Sequence, residues 1–152
     1  RNYSRIKIFI VAFCWAAVTV LFPLTVELEV DYLNAIILFF QRFIFVVVYT
    51  LPFEIRDLKF DSIELKTIPQ LYGLKKTKQL AYLLLILFLL INLVIQPLSI
   101  IYLISDFTIA LITARMIYIT KENQAKHFAS FWVESIPILW LLIIFLLEKS
   151  IG

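Results

Sequence analysis

The sequence predicts an all-α, polytopic transmembrane bundle of five spans. Three observations predict it. Hydrophobic residues make up 62% of the 152 residues and charged residues only 16%, against about 45–50% and about 25% in soluble domains. The apolar residues fall in five runs, each near the roughly 20 residues that a helix needs to cross a hydrocarbon core of about 30 Å. Basic residues lie on alternate sides of these runs. A water-soluble fold of this length has no interior for so much apolar surface. A soluble enzyme, a disordered chain and a nucleic-acid-binding module are therefore excluded. The single cysteine, Cys14, excludes an internal disulfide and a cysteine-based zinc site.

The first run, residues 8–26, carries no charge. It lacks a small-residue cleavage site and acidic residues follow it, so it reads as a span and not as a signal peptide. The second, 33–53, carries only Arg42. The third, 80–95, is short and charge-free, with Lys78 and Gln79 placed to reach toward headgroups. The fourth, 98–119, carries Asp106 and Arg115, and the fifth, 131–147, carries Glu134. Pro23 and Pro137 are expected to kink the first and fifth spans. Residues 1–152 thus read as one transmembrane domain.

Orientation follows from the loops. Arg1, Arg5 and Lys7 precede the first span; Arg56, Lys59, Lys66, Lys75, Lys76 and Lys78 lie between the second and third; Lys121 and Lys126 lie between the fourth and fifth. The opposite side holds Glu27, Glu29, Asp31 and Glu148, with Lys149 its one basic residue. The N-terminus and the 54–79 stretch are expected in the cytoplasm, and the C-terminus outside.

The stretch 54–79 is the one long connection, and it is dense in both signs of charge. Glu54, Asp57 and Asp61 stand three and four residues apart, so an extension of the second helix past the membrane surface puts all three on one face. Carboxylates so placed repel one another unless a cation neutralises them, and the hard ion that suits carboxylate and phosphate oxygens is Mg²⁺. Arg56, Lys59 and Lys66 are suited to phosphate oxygens. A diphosphate site for a lipid-tailed substrate fits this pattern. So does an amphipathic interfacial helix facing anionic headgroups, and charge pattern alone favours the latter.

The order of residues adds to this. Arg56-Asp57-x-x-x-Asp61, then Lys66-Thr67-Ile68-Pro69, then Gly73, resembles the second aspartate-rich motif of the UbiA superfamily of intramembrane prenyltransferases. Glu54 stands where that family usually has Asn or Asp. The resemblance covers residues 52–73 specifically and the other spans only in number and order. It implies that the five spans correspond to the C-terminal half of a nine-helix fold. It implies that Asp57 and Asp61, with Glu54 as a further candidate, ligate Mg²⁺, and that Arg56, Lys59 and Lys66 steady the diphosphate of a prenyl diphosphate. A hydrophobic or aromatic acceptor would then take the prenyl group. The family uses two such motifs, and this chain contains no second N-x-x-x-D or D-x-x-x-D stretch. The expectation is that the first motif lies upstream in a longer protein, in a missing N-terminal half. The alternative is a catalytically silent relative that acts as a binding or scaffold subunit.

Charges within the spans are functional candidates. Arg42 and Asp106 both stand about 13–15 Å from the outer side by rise per residue, so they are expected to face each other or share a polar network. Arg115 and Glu134 match in depth near the inner side and are expected as a second pair, bordering a substrate cavity with Tyr49. Structural ion pairs that set helix packing are the plainer reading of both pairs. Gln41, Asn92 and Gln96 are expected to hydrogen-bond between helices, His127 to contact headgroups, and Trp132 to sit in the interfacial aromatic belt. A small transporter or channel, with Arg42 and Asp106 lining its path, ranks last because no span is polar enough for an aqueous pore.

Overall fold

The computed structural model describes residues 4–25, 31–60, 65–95, 97–122, 131 and 133–151. Among these every regular element is helical. Helix α1 runs over Ser4–Ala16, loosens into a π-helical turn at Ala17–Leu21 and ends in Phe22–Leu24. Helix α2 spans Tyr32–Asp57, α3 Ile68–Ile91, α4 Ile100–Ile119 and α5 Ile136–Ile151. Asp61, Gln96, His127 and Trp132, on which expectations rested, lie outside the described residues, as do Arg1, Glu27, Glu29 and Lys126.

Local chemistry sets the helix starts. Asp31 caps α2, its Oδ1 accepting from the backbone N–H of Leu33 (3.1 Å) and Asn34 (3.2 Å). At α3, Gln70 Oε1 accepts from the backbone N–H of Thr67 at 3.1 Å, and Pro69 sits in the first turn, where its missing N–H has no partner to lose. Pro137 is likewise in the first turn of α5. A kink occurs in α3 at Gly73, whose backbone (φ 76°, ψ 163°) is not helical. That conformation is open essentially only to glycine. Thr77 Oγ1 donates to the Gly73 carbonyl at 2.9 Å.

Of the charged stretch 54–79, residues 54–57 therefore form the last turn of α2 and residues 68–79 the first turns of α3.

Sequential helices pack against one another, α1 on α2, α2 on α3, α3 on α4 and α4 on α5, and α2 also touches α4. Helix α2 is central. Phe45, Val46, Val47, Val48 and Tyr49 are five successive buried residues, which a helix with one covered face cannot have. The middle of the bundle is aromatic: Phe45 of α2 lies 4.9 Å from Phe88 of α3 and 4.7 Å from Trp140 of α5, ring centroid to centroid. Buried Ala12, Ala16, Ala81 and Ala110 let backbones approach. The outer surface is apolar, with Phe22, Leu33, Leu83, Leu141 and Phe145 all more than half exposed.

Among the described residues, three helical stretches are long and apolar enough to cross a membrane: Ile6–Leu24, Tyr32–Asp57 and Ile100–Ile119, with mean hydropathy 2.2, 2.0 and 1.7. Of the other two helices, α3 carries Lys75, Lys76 and Lys78 in its N-terminal half, and α5 has 16 residues.

Candidate functional site

Three of the residues singled out by sequence, Glu54, Arg56 and Asp57, border one concavity at an end of the bundle. Lys7 of α1, Glu54, Arg56 and Asp57 of α2, and Leu65 and Thr67 before α3 border a concavity of about 360 Å³ whose inner wall is Ile8, Val11 and Phe53. The geometry comes from chain direction. Helix α1 begins where α2 ends, because they are antiparallel neighbours, and Leu65 and Thr67, just before α3, border the same place. The concavity thus joins a charged rim to an apolar floor.

Arg56 and Asp57 hold each other. Arg56 Nε donates to Asp57 Oδ1 at 2.6 Å and Nη2 to Oδ2 at 3.1 Å, a two-point charge-assisted pair. The Arg56 guanidinium also lies 5.3 Å from the Phe53 ring centroid and feels the charge of Glu134. Lys66 has a left-handed backbone, φ 51°, which is uncommon for a residue with a side chain. It sits between Leu65 and Thr67 of the rim. Lys59 and Lys66 are exposed and are not among the lining residues.

The metal reading meets a partial fit. Glu54 and Asp57 share the rim, but both Asp57 oxygens are engaged by Arg56. Among the described residues no group of three or more His, Cys, Asp or Glu side chains is placed to hold a metal ion.

Tyr49 lies deeper. It lines a separate cavity of about 230 Å³ with Trp15, Thr19, Arg42, Pro137 and Trp140. The expected Arg115–Glu134 pair is not formed. Arg115 is exposed with its guanidinium 5.5 Å from the Tyr118 ring, and Glu134 is exposed and acts on Arg56. The depth count failed because α5 begins at Ile136, so Glu134 precedes the helix whose register it was counted on. Nearby, Lys78 Nζ donates to the carbonyls of Tyr118 (2.8 Å) and Thr120 (2.7 Å), closing the C-terminal end of α4. Partial burial, then repulsion from Lys121, hold the Lys78 ammonium below the ordinary lysine value.

Arg42 and Asp106 share a network in the opposite half of the bundle. Asp106 Oδ1 accepts from Trp140 Nε1 at 3.0 Å and Ser105 Oγ at 3.4 Å, and Oδ2 accepts from Gln41 Nε2 at 3.3 Å. Gln41 Nε2 also donates to Asn92 Oδ1 at 3.0 Å and to the Phe88 carbonyl at 3.3 Å. The Arg42 guanidinium lies 3.7 Å from the Trp140 ring centroid and attracts Asp106. The two charges are joined through Trp140, which takes Arg42 on its face and gives its N–H to Asp106.

Sequence reading missed Lys7, Thr67 and Trp140 as site residues. Lys7 was counted only as a flanking charge, and Thr67 only as a motif letter. Trp140 carried a usable signal: an indole N–H within an apolar run needs an acceptor, and Asp106 was available. Comparison with protein-family models, with curated proteins and with solved structures finds no match for this chain.

Proposed function

We propose that this chain is the diphosphate-holding portion of an intramembrane, Mg²⁺-dependent prenyltransferase of the UbiA type. In this reading it crosses the bilayer five times with the N-terminus and the Arg56–Asp57 end cytoplasmic and the C-terminus outside. The basic rim meets the headgroups there, and the outward apolar side chains meet lipid. The lysines of α3 lie before residue 80 and extend to the interface.

The observation that carries the reading is the concavity that joins Lys7, Glu54, Arg56, Asp57 and Thr67 to an apolar floor. A diphosphate is a compact polyanion on an apolar chain, and this place offers cations at the mouth and hydrocarbon beneath. Arg56 and Lys7 would orient the diphosphate, with Lys59 and Lys66 drawing it in from the surface. Asp57 and Glu54, with Asp61, would hold the metal. Bound Mg²⁺ would supply electrostatic stabilisation of the departing diphosphate. For Asp57 to serve, Arg56 must transfer at least one of its two bonds from Asp57 to the incoming phosphate, an exchange between two oxyanion partners of the same donor.

The Arg56–Asp57 pair also favours a second reading. A carboxylate already held at two points by an arginine suits a structural role, so a silent relative that binds a lipid without turning it over is the competing function.

The full-length protein in nanodiscs, given a labelled isoprenyl diphosphate and acceptor, is expected to transfer label only with Mg²⁺. Asp57→Asn and Asp61→Asn should each lower turnover by about 100-fold or more. Retained turnover in both variants defeats the metal assignment. Binding of the diphosphate without turnover, in the intact protein, selects the silent relative.

A further inference from the structure

A larger cavity, about 400 Å³, opens between α2, the end of α3 and α4. It is not part of the diphosphate site. Arg42, which lines it, is fourteen residues from Arg56 on the same helix, about 21 Å along the axis. Its deeper polar lining includes Gln41, Arg42, Asn92 and Asp106, with Asn34, Ser99 and Tyr102 also at its wall, and Leu38, Ile95 and Leu103 make an apolar side.

The bonding of the polar wall is unequal. Both oxygens of Asp106 are occupied, by Trp140 and Ser105 on one and Gln41 on the other. The amide nitrogen of Gln41 is occupied as well. Arg42 is different: it rests on the Trp140 ring and is drawn by Asp106, but makes no hydrogen bond within the described residues. Asn92 is 6% exposed and its Nδ2 completes no hydrogen bond. That amide also lies close enough to the Asp106 carboxylate to interact with it. Both Asp106 oxygens are therefore used, while two donors of the wall, the Arg42 guanidinium and the Asn92 amide nitrogen, are left without a completed bond.

Unmade donors in an apolar interior are costly. A guanidinium and an amide N–H₂ facing one cavity match a carboxylate or a phosphate group, which brings the acceptors they lack. The Trp140 ring and the Asp106 charge fix the guanidinium beforehand, so little ordering remains on binding.

We infer that this cavity is a second binding site, one that takes an oxyanion head with Arg42 and Asn92 donating to it and an apolar chain along Leu38, Ile95 and Leu103. The inference is independent of the prenyltransferase reading, since it uses none of its residues.

The test is binding, in phosphatidylcholine nanodiscs, of a radiolabelled long-chain carboxylate and of the alcohol of equal length. The carboxylate should bind saturably and about tenfold or more tighter than the alcohol, which is about 1.4 kcal/mol. Arg42→Gln should abolish that preference, Arg42→Lys should keep part of it, and Asn92→Ala should weaken the carboxylate severalfold. Inorganic phosphate that displaces the carboxylate assigns the site to a soluble oxyanion; failure to displace assigns it to a lipid-borne one, and both agree with the inference. Equal binding of acid and alcohol overturns it, as does an Arg42→Gln variant that retains the preference. If Arg42→Gln does not fold, Arg42→Lys and Asn92→Ala decide: unchanged preference in both overturns the inference.

Discussion

Removing the Asp106 carboxylate tests the network that ties four helices together. Asp106 is 3% exposed and accepts from three donors. The cost of Asp106→Ala is less than three full bonds, because two of the donors have somewhere else to go. Gln41 Nε2 keeps the Phe88 carbonyl and Asn92 Oδ1, and Ser105 Oγ keeps the Tyr102 carbonyl at 3.0 Å. Each of those two losses is worth about 0.6 kcal/mol, the average for hydrogen bonds between membrane helices. Trp140 Nε1 loses the acceptor it has in the core, at about 1–3 kcal/mol. Arg42 loses the charge that faces it. The expected destabilisation is about 2–4 kcal/mol. Asp106→Asn should cost less, about 1–2 kcal/mol, because its carbonyl still accepts from Trp140 while its amino group meets the Gln41 amino group. The assay is reversible unfolding in mixed micelles by titration with a denaturing detergent, followed by far-ultraviolet circular dichroism. Trp140→Phe in the same background completes a double-mutant cycle, and the coupling should account for the largest share of the loss. A cost below about 0.5 kcal/mol for Asp106→Ala, or zero coupling to Trp140, refutes the account.

Other consequences are smaller in scope. Gly73→Ala should destabilise by about 1–3 kcal/mol through backbone conformation alone, since an added Cβ meets nothing within 4 Å; an unchanged melting temperature would show that the kink is not required. Lys78→Met should cost about 1–2 kcal/mol by removing the two bonds to the end of α4, read as a lower unfolding midpoint. Lys78 has a lower pKa folded than unfolded, so the unfolded chain binds more protons between its folded value and 10.5. Stability from this residue therefore rises with pH through that window and is lost as pH falls through it. Lys78→Met should abolish that slope, and an identical pH dependence in both proteins counts against it.

Much of the fold was legible in the sequence, and the reason is periodic hydrophobicity on a length scale set by the bilayer. The runs 33–53 and 98–119 fall within or almost upon Tyr32–Asp57 and Ile100–Ile119. The extension of α2 through Asp57 was foreseen as the condition that aligns Glu54 with Asp57, and Gln41 and Asn92 do bond across helices. Where counting failed, it failed at an end. Glu134 was assigned a depth on a helix that starts only at Ile136, and helix ends depend on caps and turns that hydropathy does not record.

Composition and the placement of charges determined that this chain is helical, apolar on its outside, and charged chiefly at one end, because burial in water was impossible and lysines and arginines resist apolar surroundings. Which charges meet was decided by tertiary packing alone. Arg56 turns to Asp57, Lys7 joins them from another helix, and Asp106 finds Trp140 thirty-four residues away. Such meetings depend on helix rotation and on the closeness that small residues permit, quantities that belong to the assembled bundle and to no single segment of it.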